Sequence, residues 1–317
     1  MDRARIGEDI IYSEGKMKSF FICPSSGQRL FQVGDKLQTS SGTVYPIIDD
    51  IPVLIPEYKK HLERIEQLKN SPKSSWYSQN QVDYYDHGPY RHHLNRRKRV
   101  VQSWVKECCS ELLGSKEALD LAVLDHGCGD GASSRWLDSS LPPESSFLLT
   151  DYNFDRIIRA RNLLGREGKT YFLSDVTRCP LEAGFLDLVF SNHVIEHICD
   201  DQSLLNEIYR ILKPGGYLIL GCPNEGVFFW ILAYALSPCS LRNSDHIHFY
   251  NNQILIDKCK RAKLTHKKTV HLGYGVPHWS IDKLIRRFRA FDELFHIIGK
   301  AFFPRQSSSL YLLFRKE

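Results

Sequence analysis

The sequence predicts a doubly wound, Rossmann-like α/β protein with a mostly parallel sheet, and three observations predict it. From about residue 111 onward, short apolar runs alternate with helix-period segments, the pattern of strands joined by crossover helices. The runs LAVLDHG (121–127), SFLLTD (146–151), KTYFLSD (169–175), LDLVFSN (186–192) and GYLILGC (216–222) are apolar at consecutive positions, as in strands covered on both faces. Gly127, Gly129 and Gly131 fall where the first run turns into a helix, the place where such sheets bind ligands.

In chain order, residues 1–58 read as a small β unit, because SFFIC, RLFQV, TVYPII and IPVLI are β-rich runs broken by Pro and Gly. Residues 59–110 read as a helical linker. Its interruption, NSPKSSWYSQNQVDYYDHGPY, carries Trp76, Tyr77, Tyr84, Tyr85, Tyr90, Asp86 and His87, followed by His92 and His93, and is expected to fold as a lid or as a helix on the sheet edge. Residues 111–317 form the main domain. Within it Asp201 to Leu212 is predicted helical, with one apolar face (Leu204, Leu205, Ile208, Ile211, Leu212) and a stop at Pro214-Gly215-Gly216. GVFFWILAYAL (226–236) is too short to span a bilayer and reads as a core or interfacial helix. KLIRRFRAFDELFHIIGKAFFPR is basic and amphipathic, suited either to cap the sheet or to lie on an anionic membrane. The closing run SSLYLLFRK is expected to be the last, antiparallel strand of the sheet.

The 317 residues carry a net charge of only +5, which argues only weakly for a polyanionic partner, so nucleic acid is not the expected one. The runs Arg96-Arg97-Lys98-Arg99, Lys258 to Lys268 and Arg286-Arg287-x-Arg289 are expected to be solvated helix faces. Nine cysteines, an odd number lying largely in apolar runs, indicate reduced thiols. With no signal-like apolar run at the start, the expected location is cytoplasmic, with peripheral membrane contact as the alternative.

Around the first strand end, Val123 to Ala132 reads VLDHGCGDGA. The glycines permit positive φ and close backbone approach, and the following helix offers N–H groups to an anion. Taken alone, Gly127-x-Gly129-x-x-Ala132 with Asp151 also satisfies a dinucleotide fingerprint. The wider pattern resembles the class I S-adenosylmethionine-dependent methyltransferases. Asp125 stands where that family has an acid before its glycines; Asp151-Tyr152, Asp175-Val176, the stretch Phe185 to His197 and Leu212-Lys213-Pro214-Gly215-Gly216-Tyr217-Leu218 match further motifs in order. The resemblance implies that Asp125, Gly127, Cys128, Gly129, Gly131, Asp151, Tyr152, Asp175, Val176 and Asn192 bind S-adenosylmethionine, which leaves as S-adenosylhomocysteine. It implies ribose contact at Asp151 and adenine contact at Asp175 and Val176.

Methyl transfer is an in-line displacement that needs alignment and dryness, and neither a metal nor a covalent intermediate. A hydroxyl acceptor benefits from a general base, and histidine is the usual one. His193 and His197 follow the fourth strand, and His246 and His248 lie beyond the fifth in a segment resembling the His-aromatic stretch of sugar methyltransferases. His246 is the first choice of base, then His193 and His248; Asp245 is placed to orient a ring, and His197 reads equally as a capping or core residue. The acceptor is expected to be a small or glycan-type hydroxyl compound, which would connect the chain to polysaccharide biosynthesis. The competing readings are a quinone-like lipid precursor, an RNA, and a non-catalytic scaffold. The N-terminal unit resembles the zinc-ribbon-like domain of methyltransferase activator subunits, but Cys23 alone survives of its two Cys pairs, so zinc is not expected there and a docking role for a protein partner is the functional alternative to a bare scaffold.

Overall fold

The computed structural model describes residues 20–69, 81–114, 120–236 and 245–317. Trp76 and Tyr77 lie outside the described residues. Among these residues the strands form two sheets. The smaller is antiparallel, in the order β1 (Phe31–Val33), β2 (Lys36–Gln38), β3 (Val44–Ile48), β4 (Ile51–Pro52). The larger contains β5 (Ala122–His126), β6 (Ser146–Asp151), β7 (Lys169–Leu173), β8 (Leu186–Asn192), β9 (Leu212–Pro223), β10 (Leu264–Leu272) and β11 (Ser309–Lys316), in the order β10-β11-β9-β8-β5-β6-β7. β11 runs antiparallel between β9 and β10, and the pairs among β5 to β9 are parallel. The order reverses beside β5, so a crevice opens at the carboxyl ends of β5 and β8.

The continuous apolar runs are explained by two cores, one on each sheet face, fed by alternate residues of the same strands. Leu124, Leu148, Phe172, Val189 and Leu218 point one way, onto α6 (Asp201–Ile211), α8 (Asn252–Arg261) and the small sheet. Val123, Leu149, Leu173, Leu188 and Ile219 point the other way, onto α3 (Arg91–Gly114) and α5 (Phe154–Leu164). Asn153, Asp200 and Asn251 cap α5, α6 and α8 by accepting backbone N–H groups.

The N-terminal unit shares the larger core. Phe21, Leu37, Tyr45 and Leu54 are buried with Leu148 and Phe172, Phe21 bridges Leu181, and Val53 bridges Leu173 in parallel. Cys23 is buried with its Sγ 3.2 Å from the Tyr45 hydroxyl.

Several expectations are corrected. The helix expected over Asp201 to Leu212 forms as α6 and ends at Ile211, but Pro214-Gly215-Gly216 lies inside β9, which begins at Leu212; the pairing skips from Leu186↔Leu212 to Leu188↔Tyr217, so the extra residues bulge out of the ladder. The basic runs are not simply solvated. Arg96 is buried and pairs with Asp292 at 2.6 Å, and Arg286 is buried with its Nε 3.0 Å from Asp292. The segment 245–250 adopts no regular structure. The remaining helices are α1 (Tyr58–Lys69), α2 (Gln81–His87), α4 (Ser134–Asp138), α7 (Phe228–Leu236), α9 (Trp279–Arg286) and α10 (Arg289–Phe302). None of the described helices is long and apolar enough to cross a membrane.

Candidate active site

The bend after β5 is built by glycines. Gly127, Gly129 and Gly131 have φ of 96°, 55° and 80°, and a Cβ at Gly127 would stand 2.4 Å from Val194. Asp151, at the tip of β6, fastens this bend: its Oδ2 accepts the Gly129 N–H at 2.8 Å and its Oδ1 the Asn153 N–H at 2.9 Å. Two backbone bonds leave further lone pairs on that carboxylate for ligand hydroxyls. Asp130, also buried, is held by Arg156 and Arg159. Cys128 is buried beside the bend.

Asp125 closes the floor. One oxygen accepts the Ser134 hydroxyl at 2.6 Å; the other, Oδ1, is buried with no hydrogen-bond partner among the described residues. Burial raises its carboxyl to about 7, against the opposing effect of the Ser134 bond and with a further push from Asp151. A cationic group arriving at Oδ1 would relieve both conditions, so the residues present fit an amino-acid ammonium.

On the β7 side, Asp175 accepts the Thr177 N–H and hydroxyl at 2.8 and 2.7 Å, and Val176 is buried next to it. Tyr152 is covered from α1: the His61 Nε2 lies 2.6 Å from the Tyr152 carbonyl and the two rings meet edge-on. From the other side α2 straps the bend. The Gln81 N–H donates to Asp130 at 3.1 Å, Arg135 donates twice to Asp86 at 3.0 Å, and Tyr85 packs on Trp136. Asn192 accepts the Tyr311 hydroxyl at 2.7 Å.

Past β8 lies a histidine–carboxylate cluster. His193 has φ of 56°, a left-handed conformation costly for a side-chain-bearing residue. Its Nδ1 is 3.1 Å from Glu196 and its Nε2 is 2.8 Å from an Arg97 nitrogen. Burial lowers its pKa, opposed by the Glu196 bond and assisted by Arg97. Glu196 is fully buried; burial alone would raise its carboxyl, yet the His193 hydrogen bond together with His197 and His246 holds it down at about 2. His246 presents Nδ1 to Glu225 at 2.8 Å, and Glu225 also accepts from the Tyr234 hydroxyl of α7. Burial lowers the His246 pKa, but Glu225, Glu196 and Asp245 outweigh it and the net direction is upward. Glu196, His197 and His246 each offer a ligand-type atom within 4.8 Å of the others, so this cluster could also hold one cation.

The structure therefore brings His193 and His246 together at the carboxyl edge. His248 turns away, its Nε2 3.1 Å from the Ile198 carbonyl. His197 stands beside the pair, its Nδ1 3.4 Å from Asp245. Sequence reading passed over Glu225 and Arg97. Glu225 follows β9, at the same sheet edge as the other candidates, and that position was the available signal; Arg97 was hidden inside a run of like charges.

Residues 124–220, which contain the bend, β6 to β8 and the start of the histidine cluster, match a protein family described as a methyltransferase domain. The chain is 29% identical over 144 residues to a malonyl-[acyl-carrier protein] O-methyltransferase of Marinomonas sp., covering 45% of this chain and 52% of that protein. It is 26% identical over 164 residues to a demethylmenaquinone methyltransferase of Lactococcus lactis subsp. lactis, covering 51% and 59%. It thus spans about half the length of these curated relatives. Among solved structures, a geranyl diphosphate methyltransferase in complex with GPP and sinefungin aligns with a TM-score of 0.49 at 14% identity, over 71% of this chain and 79% of that one.

Proposed function

We propose that the chain is an S-adenosylmethionine-dependent methyltransferase acting on a hydroxyl of a small or glycan-type acceptor. The observation that carries the reading is Asp125: a buried carboxylate with one unsatisfied oxygen, under a glycine bend, inside the stretch that matches the methyltransferase family. When bound, the donor supplies an electrophilic methyl on a sulfonium. Asp125 would take the donor's ammonium, Asp151 its ribose hydroxyls through its remaining lone pairs, and Asp175 with Val176 the adenine. The strap of α2 excludes water, which strengthens every electrostatic contact beneath it.

His246 is the base in this reading. Glu225 fixes its Nδ1 and stabilises the imidazolium, so the acceptor proton is taken at Nε2. His193, held on both ring nitrogens, positions Glu196 and Arg97 instead of accepting a proton. The division into 1–58, 59–110 and 111–317 becomes a docking unit, a strap and a catalytic domain.

Thermal unfolding with S-adenosylhomocysteine tests the proposal. At a hundred times its dissociation constant the ligand should add about 2.7 kcal/mol of stability, and Asp125→Asn should diminish that gain. A shift produced by a nicotinamide dinucleotide and not by S-adenosylhomocysteine would overturn it.

A further inference from the structure

Helices α9 and α10 carry their polarity inside out. A helix laid on a protein core turns its apolar stripe inward. Here the inward face holds Asp282, Arg286 and Asp292, all buried, while Ile281, Leu284, Phe288, Phe291, Ile297 and Phe302 face solvent, Ile297 64% and Phe302 74% exposed. The rotation of both helices is fixed by ion pairs. Arg286 donates to Asp292 at 3.0 Å, and Arg96 from α3 reaches the same carboxylate at 2.6 Å. Rolling either helix to hide the apolar stripe would break pairs whose loss leaves a buried charge uncompensated.

The charges are sorted in the same direction. Between residues 279 and 305 the acids are Asp282, Asp292 and Glu293; the first two are buried, and Glu293 pairs with Arg96 at 3.1 Å. The cations Lys283, Arg287, Arg289, Lys300 and Arg305 are exposed. α7 extends the apolar face with Phe228 and Ile231, each 62% exposed, and is tied to it by the Trp230–Trp279 and Phe229–Phe303 ring contacts. The same helix supplies Tyr234 to Glu225, so the face lies one helix thickness from His246.

We infer that α7, α9 and α10 form a docking face for the anionic surface of a lipid bilayer. The apolar side chains enter the boundary between headgroups and acyl chains and the five cations meet anionic headgroups, as surface-lying amphipathic helices do. α7, α9 and α10, of 9, 8 and 14 residues, are too short to span, so the contact proposed is peripheral. A second copy of the chain fits less well, because a self-complementary interface would set this cationic rim against its twin. Resting on the methyltransferase reading, the placement further implies an acceptor hydroxyl borne by a membrane-resident molecule, delivered past α7 to His246.

The test uses the full chain with vesicles of phosphatidylcholine mixed with phosphatidylglycerol, against phosphatidylcholine alone. Co-sedimentation with the mixed vesicles, weakened by salt, is expected. Leu284→Asp with Ile297→Asp should abolish it, and Arg287→Gln and Arg289→Gln should each lower partitioning about fivefold. All these variants should keep the thermal shift with S-adenosylhomocysteine, which reports that they fold and bind. A retained shift without sedimentation of the unmodified chain would overturn the docking face and leave the site reading intact. A concentration-dependent dimer that Ile297→Asp disperses, with no vesicle binding, would overturn it in favour of a second copy. Sedimentation without any ligand shift would uphold the face while overturning the reading of the site.

Discussion

The Nη1 of Arg97 lies 2.8 Å from the Nε2 of His193. A guanidinium can only donate, so this contact occupies the one lone pair through which a neutral His193 could take a proton, its other nitrogen being committed to Glu196. Two histidines at one sheet edge thereby acquire opposite characters: His193 is pushed below the ordinary histidine range, chiefly by burial, and His246 ends above it through Glu225.

That contrast is measurable. In a histidine NMR titration His246 should lose its proton above pH 6.5 and His193 below it. Glu225→Gln should lower the His246 midpoint, because the carboxylate is its main charge-stabilising neighbour. An unmoved midpoint would remove Glu225 as the orienting group.

Asp151 serves the bend and the proposed ligand together. Asp151→Ala should weaken S-adenosylhomocysteine binding about tenfold or more in calorimetry, the scale of losing hydrogen bonds to a charged acceptor. Affinity within twofold of the parent would show that the ribose lies elsewhere.

Asp125 gives a pH signature. Its folded pKa of about 7 lies above the ordinary 3.8, so the folded protein holds a proton that the unfolded chain gives up, and stability from this residue falls as pH rises from about 4 to 7. Asp125→Asn should therefore match the parent near pH 4 and exceed it by on the order of 4 kcal/mol above pH 7, read from denaturant unfolding. The same variant should bind S-adenosylhomocysteine less tightly. A pH-independent difference in stability would refute the assignment.

The strap of α2 is fastened by the partly exposed pair Asp86 and Arg135, which contributes only about 0.5–1 kcal/mol. Asp86→Ala should thus leave the melting temperature nearly unchanged while speeding ligand release a few-fold in stopped-flow. Unchanged release would mean that α2 does not gate the site.

Asp292 is a different case. Fully desolvated between Arg96 and Arg286, it anchors α10 to α3, and Asp292→Ala should cost about 3 kcal/mol by leaving buried Arg96 to the partly exposed Glu293 and buried Arg286 to Asp282 at 3.4 Å. A loss under 1 kcal/mol would contradict the packing described.

The parallel sheet was legible because strands such as Leu186–Asn192 are buried along their whole length, so apolar residues sit side by side on both faces, as Leu188, Val189 and Phe190 do. The bend was legible because Gly127 needs both positive φ and the absence of a Cβ. The faces of charged helices were not. Periodicity locates a stripe along 279–302 but says nothing of which way it turns; that was decided by Arg96, far away in sequence, meeting Asp292. The pairing of His246 with Glu225 was equally hidden, since 21 residues and a helix separate them. His248, two positions on, is carried to the far side by an irregular segment whose course the sequence does not signal.

The bridge between Val53 and Leu173 joins the small sheet to the strand that ends just before Asp175, and the Leu54 N–H donates to the Leu173 carbonyl at 2.8 Å. The N-terminal unit is for that reason a handle and not an ornament. Whatever grips it pulls, through this backbone pairing and the shared core, on the strand leading to the proposed adenine contact; cutting it away would fray β7 from its outer edge.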